Sequence, residues 1–301
     1  ATATVKRSVD LAVGVRLDHE QKEAVLDTFF SPPIAPQTHV TAERGFSDVS
    51  PQVSVAYRMR PERMVYTVVG RGFKAGGFNP ASPAGSEAYG EERAWHVEWG
   101  FKGSWAGGRV TTNLSAFSID WSQLQLNLPT PTRPEQFYIA NVGGARSRGV
   151  EFELAGRLDA GFDVFGSFGY AHARFDEGSS SSGGDLSGNR LPNTPDYTGM
   201  AGAQWSRDLA SGATVYGRGD IVVYGAFRYD DANRAGQDAY SLTNLRGGVR
   251  VGHFLGELWV RNAFDTRYVP IAFAYPGFTP SGFLGEVGRP RTFGVTAGVT
   301  F

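Results

Sequence analysis

Residues 292–301 read TFGVTAGVTF, and their cadence decides the fold. Phe293, Val295, Ala297, Val299 and Phe301 alternate with Thr292, Gly294, Thr296, Gly298 and Thr300. Successive side chains of an extended strand point to opposite faces, so this segment has one apolar face and one small, polar face. The beginning of the chain has the same rhythm: Val9, Leu11, Val13, Val15 and Leu17 alternate with Ser8, Asp10, Ala12, Gly14, Arg16 and Asp18. It returns at Val150, Phe152 and Leu154 against Glu151 and Glu153. A further copy sets Leu245, Gly247, Val249 and Val251 against Asn244, Arg246, Gly248 and Arg250.

Composition fits a strand-dominated chain. Glycine supplies 40 of 301 residues, nearly twice the usual share of about 7%. Aromatics reach 13%, while apolar residues total only 41%. Abundant Gly, Val, Thr and aromatic residues disfavour helix and suit pleated strands. The 29 basic side chains balance 30 acidic ones, for a net charge of −1, which removes the usual electrostatic basis for nucleic-acid binding. There is no cysteine, hence no disulfide, thiolate chemistry or cysteine-held metal. No apolar run of about 18 residues exists to form a membrane-spanning helix. The first residues lack a basic stretch followed by an apolar one, so no signal peptide is expected, and Ala1 falls within patterned sequence, as in a processed or truncated chain.

A soluble antiparallel sheet also buries one face and wets the other, so alternation alone leaves the class open. The connections resolve it. Strands are predicted over residues 3–17, 49–59, 64–72, 92–102, 108–126, 136–157, 162–174, 196–206, 213–227, 240–251, 254–263 and 289–301. Short links at 59–63, 103–107, 158–161, 207–212 and 252–253 alternate with long ones at 18–48, 73–91, 127–135, 175–195, 228–239 and 264–288. Short turns at one end and long loops at the other mark an outer-membrane β-barrel. Several segments exceed the usual five or six residues and reach the roughly 9–11 that cross a bilayer at a tilt. The apolar face then meets lipid, and Asp, Glu, Arg and Gly line the interior. Trp105, Trp205 and Phe301 fall near the short-turn ends, where an aromatic girdle belongs.

Specific wording accompanies this pattern. Residues 66–79 (YTVVGRGFKAGGFN) and 92–103 (ERAWHVEWGFKG) resemble two consecutive mid-barrel strands of the TonB-dependent outer-membrane receptors. Residues 141–153 (NVGGARSRGVEFE), 191–195 (LPNTP), 258–268 (LWVRNAFDTRY) and 288–293 (GRPRTF), with the terminal Phe301, are similar to further motifs of that family in the same order. The resemblance covers nearly the whole chain. It implies a 22-stranded barrel around an N-terminal plug, driven from the inner membrane by the TonB complex. About twelve strands are expected here with no plug sequence and no TonB box, so residues 1–301 are expected to be the C-terminal portion of such a barrel, cut from a longer protein. In isolation the segments 3–17 and 289–301 would then be unpaired edges, which hydrocarbon does not tolerate.

Catalytic motifs are scarce, and the chain reads as a non-enzyme. His19, His39, His96, His172 and His253 have no metal-binding spacing, and no Gly-x-Ser-x-Gly elbow occurs. Gly70, Gly72 and Ala75 fit a relaxed dinucleotide fingerprint, but Gly76, Gly77 and Pro80 preclude the helix it requires, so these glycines read as a strand running into a loop. Asp230–Asp231 and Asp176–Glu177 carry calcium-type oxygens, although adjacent loop carboxylates are usually just solvated. Ser179 to Ser182 with Gly183 and Gly184 reads as a flexible loop tip. Inward Arg16, Arg71, Arg246 and Arg250 would attract an anionic solute such as a ferric chelate, or else pair with inward carboxylates. Phe73, Phe78, Tyr89, Phe273, Tyr275 and Phe278 could stack on an organic ligand or pack the loops together. Neither set defines a ligand-binding site.

The resemblance implies an outer-membrane receptor for TonB-dependent uptake of a scarce solute, with a ferric siderophore as the favoured cargo. The alternatives are a self-contained passive pore of about twelve strands and, last, a barrel hydrolase, which lacks a recognisable Ser/His pair.

Overall fold

A computed structural model describes residues 2–6, 8–29, 38–83, 85–130, 133–275 and 279–301. Thirteen strands form one antiparallel sheet in strict sequence order: β1 (Thr2–Lys6), β2 (Val9–Thr28), β3 (Thr38–Arg60), β4 (Arg63–Lys74), β5 (Glu92–Trp105), β6 (Val110–Ser122), β7 (Ala145–Arg157), β8 (Phe162–Phe175), β9 (Tyr197–Asp208), β10 (Ala213–Tyr224), β11 (Tyr240–Val251), β12 (Phe254–Arg261) and β13 (Thr292–Val299). Each strand pairs with its chain neighbour, as a meander of hairpins does. Among the described residues no ladder joins β1 to β13, and the sheet is open.

The expected sorting of connections is present. β3 and β4 are separated only by Pro61 and Glu62, and β11 and β12 only by Gly252 and His253. At the other end, five long loops carry small hairpins of their own, such as Gln125–Thr130 with Arg133–Asn141 and Ile271–Ala274 with Phe283–Glu286.

Several boundaries differ from the sequence reading. The segment expected to be one strand over 3–17 breaks before Val9, and the expected loop over 18–48 is mostly strand, because β2 and β3 pair from Val9↔Tyr57 to Thr28↔Thr38. Asp18, His19, Glu20, Gln21, Lys22 and Glu23 are polar on both faces, so this part of the ribbon has no hydrophobic period to read. The strand expected over 136–157 divides at residues 142–144, where Gly143 takes φ +112°, a conformation that favours glycine. Part of the expected loop over 127–135 belongs to the Gln125–Thr130 hairpin.

Burial shows which face is which. The apolar face of the sheet is exposed: Val15 is 63% accessible, Trp99 47%, Leu258 65% and Val295 74%. A soluble sandwich would hide these side chains against a second layer. Instead the buried apolar residues gather at the long-loop end, where Leu124, Leu128, Tyr138, Val142, Ala145, Phe175 and Leu186 form one cluster.

The inner face accounts for much of the glycine. Tyr66, Phe117, Phe165, Tyr216 and Trp259 each stand directly opposite a glycine on the next strand: Gly100, Gly149, Gly202, Gly248 and Gly294. At each of these glycines a Cβ would come within 2.3–2.7 Å of the opposing ring or its hydroxyl. Large rings therefore lie down across neighbouring strands into space that only glycine leaves.

Candidate functional site

The inner face bears the polar residues of each strand, many of them joined across ladders. Tyr66 donates its hydroxyl to Glu98 at 2.6 Å, and Tyr216 donates to Glu257 at 2.6 Å. Asn113 donates to Glu153 at 2.9 Å, and Asn244 to Asp220 at 2.8 Å.

Two of the four arginines singled out in the sequence face inward beside carboxylates. Arg16 lies 2.6 Å from Asp18, and Arg246 lies 3.9 Å from Glu257. Such water-exposed pairs contribute about 0–1 kcal/mol each, so they orient more than they stabilise. Arg250 is exposed and has no ion pair among the described residues. Arg71 is committed to a partner at the rim, where it lines a recess with Arg16, Asp18 and His96. It stands opposite the exposed Trp95, on the register of the apolar face. The β3–β4 ladder ends at Gln52↔Gly70, and just beyond it Arg71 donates to Asp48 at 2.9 Å and to the Val49 carbonyl at 3.3 Å. Arg93 reaches the same Asp48 oxygen at 3.0 Å. The buried Asp48 is thus held by two guanidinium groups that staple the rim where the strands part.

The sequence reading picked out Arg246 and missed the arginine beside it. Arg218 and Arg246 are directly opposed on β10 and β11, an unfavourable like-charge pair. Arg218 is offset by Asp220 at 3.5 Å and by the Phe165 ring at 4.3 Å. With Arg261, Asp220 and Glu257 they line an inner-face recess of about 390 Å³, three arginines against two carboxylates. Period two along β10 puts Arg218 on the same face as Tyr216 and Asp220. What chain order concealed was its cross-strand neighbour, 28 residues away.

The long loops are latched to one another by amide side chains. Asn79 donates to the Ser86 and Ile139 carbonyls, both at 2.9 Å, and accepts from the Ile139 amide at 2.8 Å. Asn141 accepts from the Gly90 amide at 2.6 Å and donates to the Gln123 carbonyl at 2.8 Å. Asn233 exchanges two 2.9 Å bonds with the backbone of Arg190, and Gln237 accepts from the Val269 amide at 2.8 Å. Between the β6–β7 and β8–β9 loops the join is instead the Ser179 hydroxyl on the Gly144 carbonyl with backbone bonds such as Ser180 to Val142, so consecutive loops are connected from β4–β5 through to β12–β13.

Between four of these loops lies a cavity of about 370 Å³, lined by Leu128, Phe137, Leu191, Tyr229, Asp231 and Phe273 among others. Of the loop aromatics, Phe273 and Tyr275 converge on Phe137, with ring centroids 6.0 and 6.4 Å apart. Phe137 itself gave no sequence signal, since its hairpin was read as loop and strand. Phe78 and Tyr89 instead pack their own hairpin, with Tyr89 opposite Gly77. Phe73 continues the β4–β5 ladder opposite Arg93. Phe278 lies outside the described residues.

Two loop readings are corrected. Asp230 and Asp231 are neither solvated nor disposed as metal ligands. Asp230 accepts from the amides of Arg234 and Ala235 and from the Arg234 guanidinium, while Asp231 accepts from Ser181 at 2.5 Å. The serine-glycine tip is a built hairpin, Ser180–Ser181 with Gly184–Asp185, beside a buried Ser179 that donates to the Gly144 carbonyl at 2.7 Å. The histidines stay dispersed, and no group of three His, Asp or Glu side chains converges among the described residues. Gly70 and Gly72 sit within β4, as the strand reading required.

Known proteins share this arrangement. Residues 2–263 match the family model described as TonB dependent receptor-like, beta-barrel. The ferric-pyoverdine 358 receptor of Pseudomonas putida is 27% identical over 271 residues, 87% of this chain and 30% of its own length. The pesticin receptor of Yersinia pestis is 25% identical over 97% of this chain and 41% of its own. Among solved structures, the ferric yersiniabactin uptake receptor FyuA from Yersinia pestis superposes with a TM-score of 0.86 at 22% identity, over 100% of this chain and 44% of that one. The ferripyoverdine receptor of Pseudomonas aeruginosa gives 0.70 at 19% identity, over 98% of this chain and 37% of that one. The chain therefore spans less than half the length of the relatives it matches. A meander with sorted loops, an exposed apolar face and a charged inner one has the family's architecture, and the chain belongs to the TonB-dependent receptor-like β-barrels of the outer membrane, a family of transporters rather than enzymes.

Proposed function

We propose that residues 1–301 are the C-terminal strands of a receptor barrel that takes up a scarce anionic chelate, with a ferric siderophore as cargo. The observation that carries this reading is the opposed Arg218–Arg246 pair in the inner-face recess. A like-charge contact across a ladder is unfavourable for the fold alone, and an anionic solute passing the lumen relieves it. Above it, latched loops hold the aromatics Phe137, Phe273 and Tyr275 at the external end, a surface suited to an organic ligand. The names of the relatives agree: they include receptors for ferric pyoverdine and metal-pseudopaline. The TonB complex, acting through a plug supplied elsewhere in the parent protein, drives passage. No bond of the solute is broken.

The test uses the full-length parent receptor in proteoliposomes energised by the TonB complex. Uptake of a ferric siderophore that falls severalfold in Arg218→Gln/Arg246→Gln, with external binding retained, is the expected result. Normal growth of a parent-gene deletion strain under iron starvation would overturn iron as the cargo. A self-contained pore would require β1 and β13 to pair with each other, and the described residues have no such ladder.

A further inference from the structure

A recess of about 610 Å³ lies on the lipid-facing side of β9–β12. Its floor is Gly217 and Gly247, which are directly opposed, with Gly219 and Ala203 in the next row. Phe162 and Trp205 wall it on one side and Leu258 on the other, while Leu245 closes the top. On the inner face, every glycine opposite a ring is explained by that ring. Here the explanation fails: a Cβ on Gly217 meets nothing within 4 Å, and Gly217 needs no left-handed backbone. Glycine in a strand interior weakens the strand and often marks a bulge, a tight bend or a close approach by a ligand or another backbone, and the unbroken β10–β11 register has no bulge here.

The groove has a defined height in the membrane. Short turns of such barrels face the periplasm. Gly217 is four residues beyond the start of β10 and Gly247 four before the end of β11. At about 3.3 Å per residue and a tilt near 45°, this places the floor roughly 10 Å above the turns, at acyl-chain depth in the periplasmic leaflet. Two residues below Trp205, on the same face, stands Arg207, opposite Val215. Arg207 is exposed and has no ion pair among the described residues. A guanidinium at the interface with a glycine-floored, aromatic-walled trough above it, Trp205 and Gly217 being directly opposed, follows the order of a phospholipid: phosphate first, acyl chain beyond. The trough is continuous with the lipid-facing belt and carries no charged side chain of its own, since Arg218 and Arg246 point to the lumen.

We propose that this groove seats one acyl chain of a periplasmic-leaflet phospholipid, whose phosphate pairs with Arg207. The seat is independent of the cargo, and it stands or falls separately from the transport reading.

The experiment reconstitutes the full-length receptor in vesicles containing phosphatidylethanolamine with a diazirine on its acyl chain, then maps labelled peptides by mass spectrometry. Expected is labelling of β9–β12 severalfold above that of the equally exposed Val53 and Val55 on β3. Gly217→Val with Gly247→Ala, which fill the trough without a close contact, should bring labelling down to the belt level while siderophore uptake stays unchanged. Arg207→Gln should lower it severalfold with the trough intact, and so tests the seat even if the filled variant fails to fold. Labelling that is uniform around the belt, labelling that survives both variants, or crosslinks between two receptor copies in place of lipid would each overturn the proposal.

Discussion

The ring of Tyr66 occupies the volume that a side chain on Gly100 would need: a Cβ there would lie 2.3 Å from ring carbons. The two residues are directly opposed on β4 and β5, and the ring is pinned by its hydroxyl bond to Glu98. The same join recurs at four other strand pairs, so it is a repeated means of fitting bulky rings to a closely paired sheet. Gly100→Ala should destabilise the folded receptor by about 1–3 kcal/mol, the usual cost of overpacking. The measurement is the urea midpoint in lipid vesicles, with Gly100→Ala repeated in a Tyr66→Ala background. Equal losses in both backgrounds would show that the ring does not matter.

The fold was readable where one face meets lipid and the other water, as in residues 9–17 and 292–301, because only that contrast writes a period of two into the sequence. It was unreadable in residues 18–23, where both faces are polar, and the ladder to Thr28↔Thr38 had to come from pairing. At the candidate site, single residues were legible and their partners were not. Arg246 was picked out and Arg218 missed; Phe273 and Tyr275 were picked out and Phe137 missed. Cross-strand neighbours are set by register, which local pattern does not encode. Arg71 shows a different limit: its register opposite Trp95 is that of the apolar face, yet beyond the end of the β3–β4 ladder its guanidinium is held by Asp48.

Inverting the faces separates a membrane sheet from a soluble one. Val53 is 42% exposed on the outer face, and Gln52 beside it stands between Gly14 and Gly70 on the inner one. Val53→Arg should cost about 2–4 kcal/mol in vesicle folding assays, and Gln52→Arg far less. Similar costs at the two positions would mean that Val53 does not face hydrocarbon.

Loop latching gives a sharper test at Asn141, because one amide side chain serves as both donor and acceptor across two loops. Asn141→Ala leaves the half-buried Gly90 amide without its acceptor, at about 1–3 kcal/mol, and the exposed Gln123 carbonyl without a donor that water replaces at little cost. Amide exchange at Gly90 should then rise about tenfold or more. Asn141→Asp keeps the acceptor for Gly90 and loses the donor to Gln123, so it should protect Gly90 while loosening the β6–β7 loop. Uniform acceleration in both variants would point to general unfolding of the loops instead.

Tyr229 couples two other loops by donating to the Val269 carbonyl at 2.7 Å, and burial raises its phenol pKa above the ordinary value. A raised folded pKa means that the folded state holds the proton more tightly than the unfolded chain does. The stabilisation is therefore fully present below the usual phenol range near pH 10 and is lost as the pH climbs through the raised value. Ionisation also removes the donor, so the β10–β11 and β12–β13 loops should separate in the same alkaline window. In an ultraviolet titration of the receptor, the difference between wild type and Tyr229→Phe should isolate one late-ionising phenol. At neutral pH, Tyr229→Phe should already show the loosened Val269 segment by hydrogen exchange, at a cost of about 1 kcal/mol for a single neutral bond. A Tyr229 that titrates like free tyrosine would mean that these two loops are not joined in the membrane-embedded receptor.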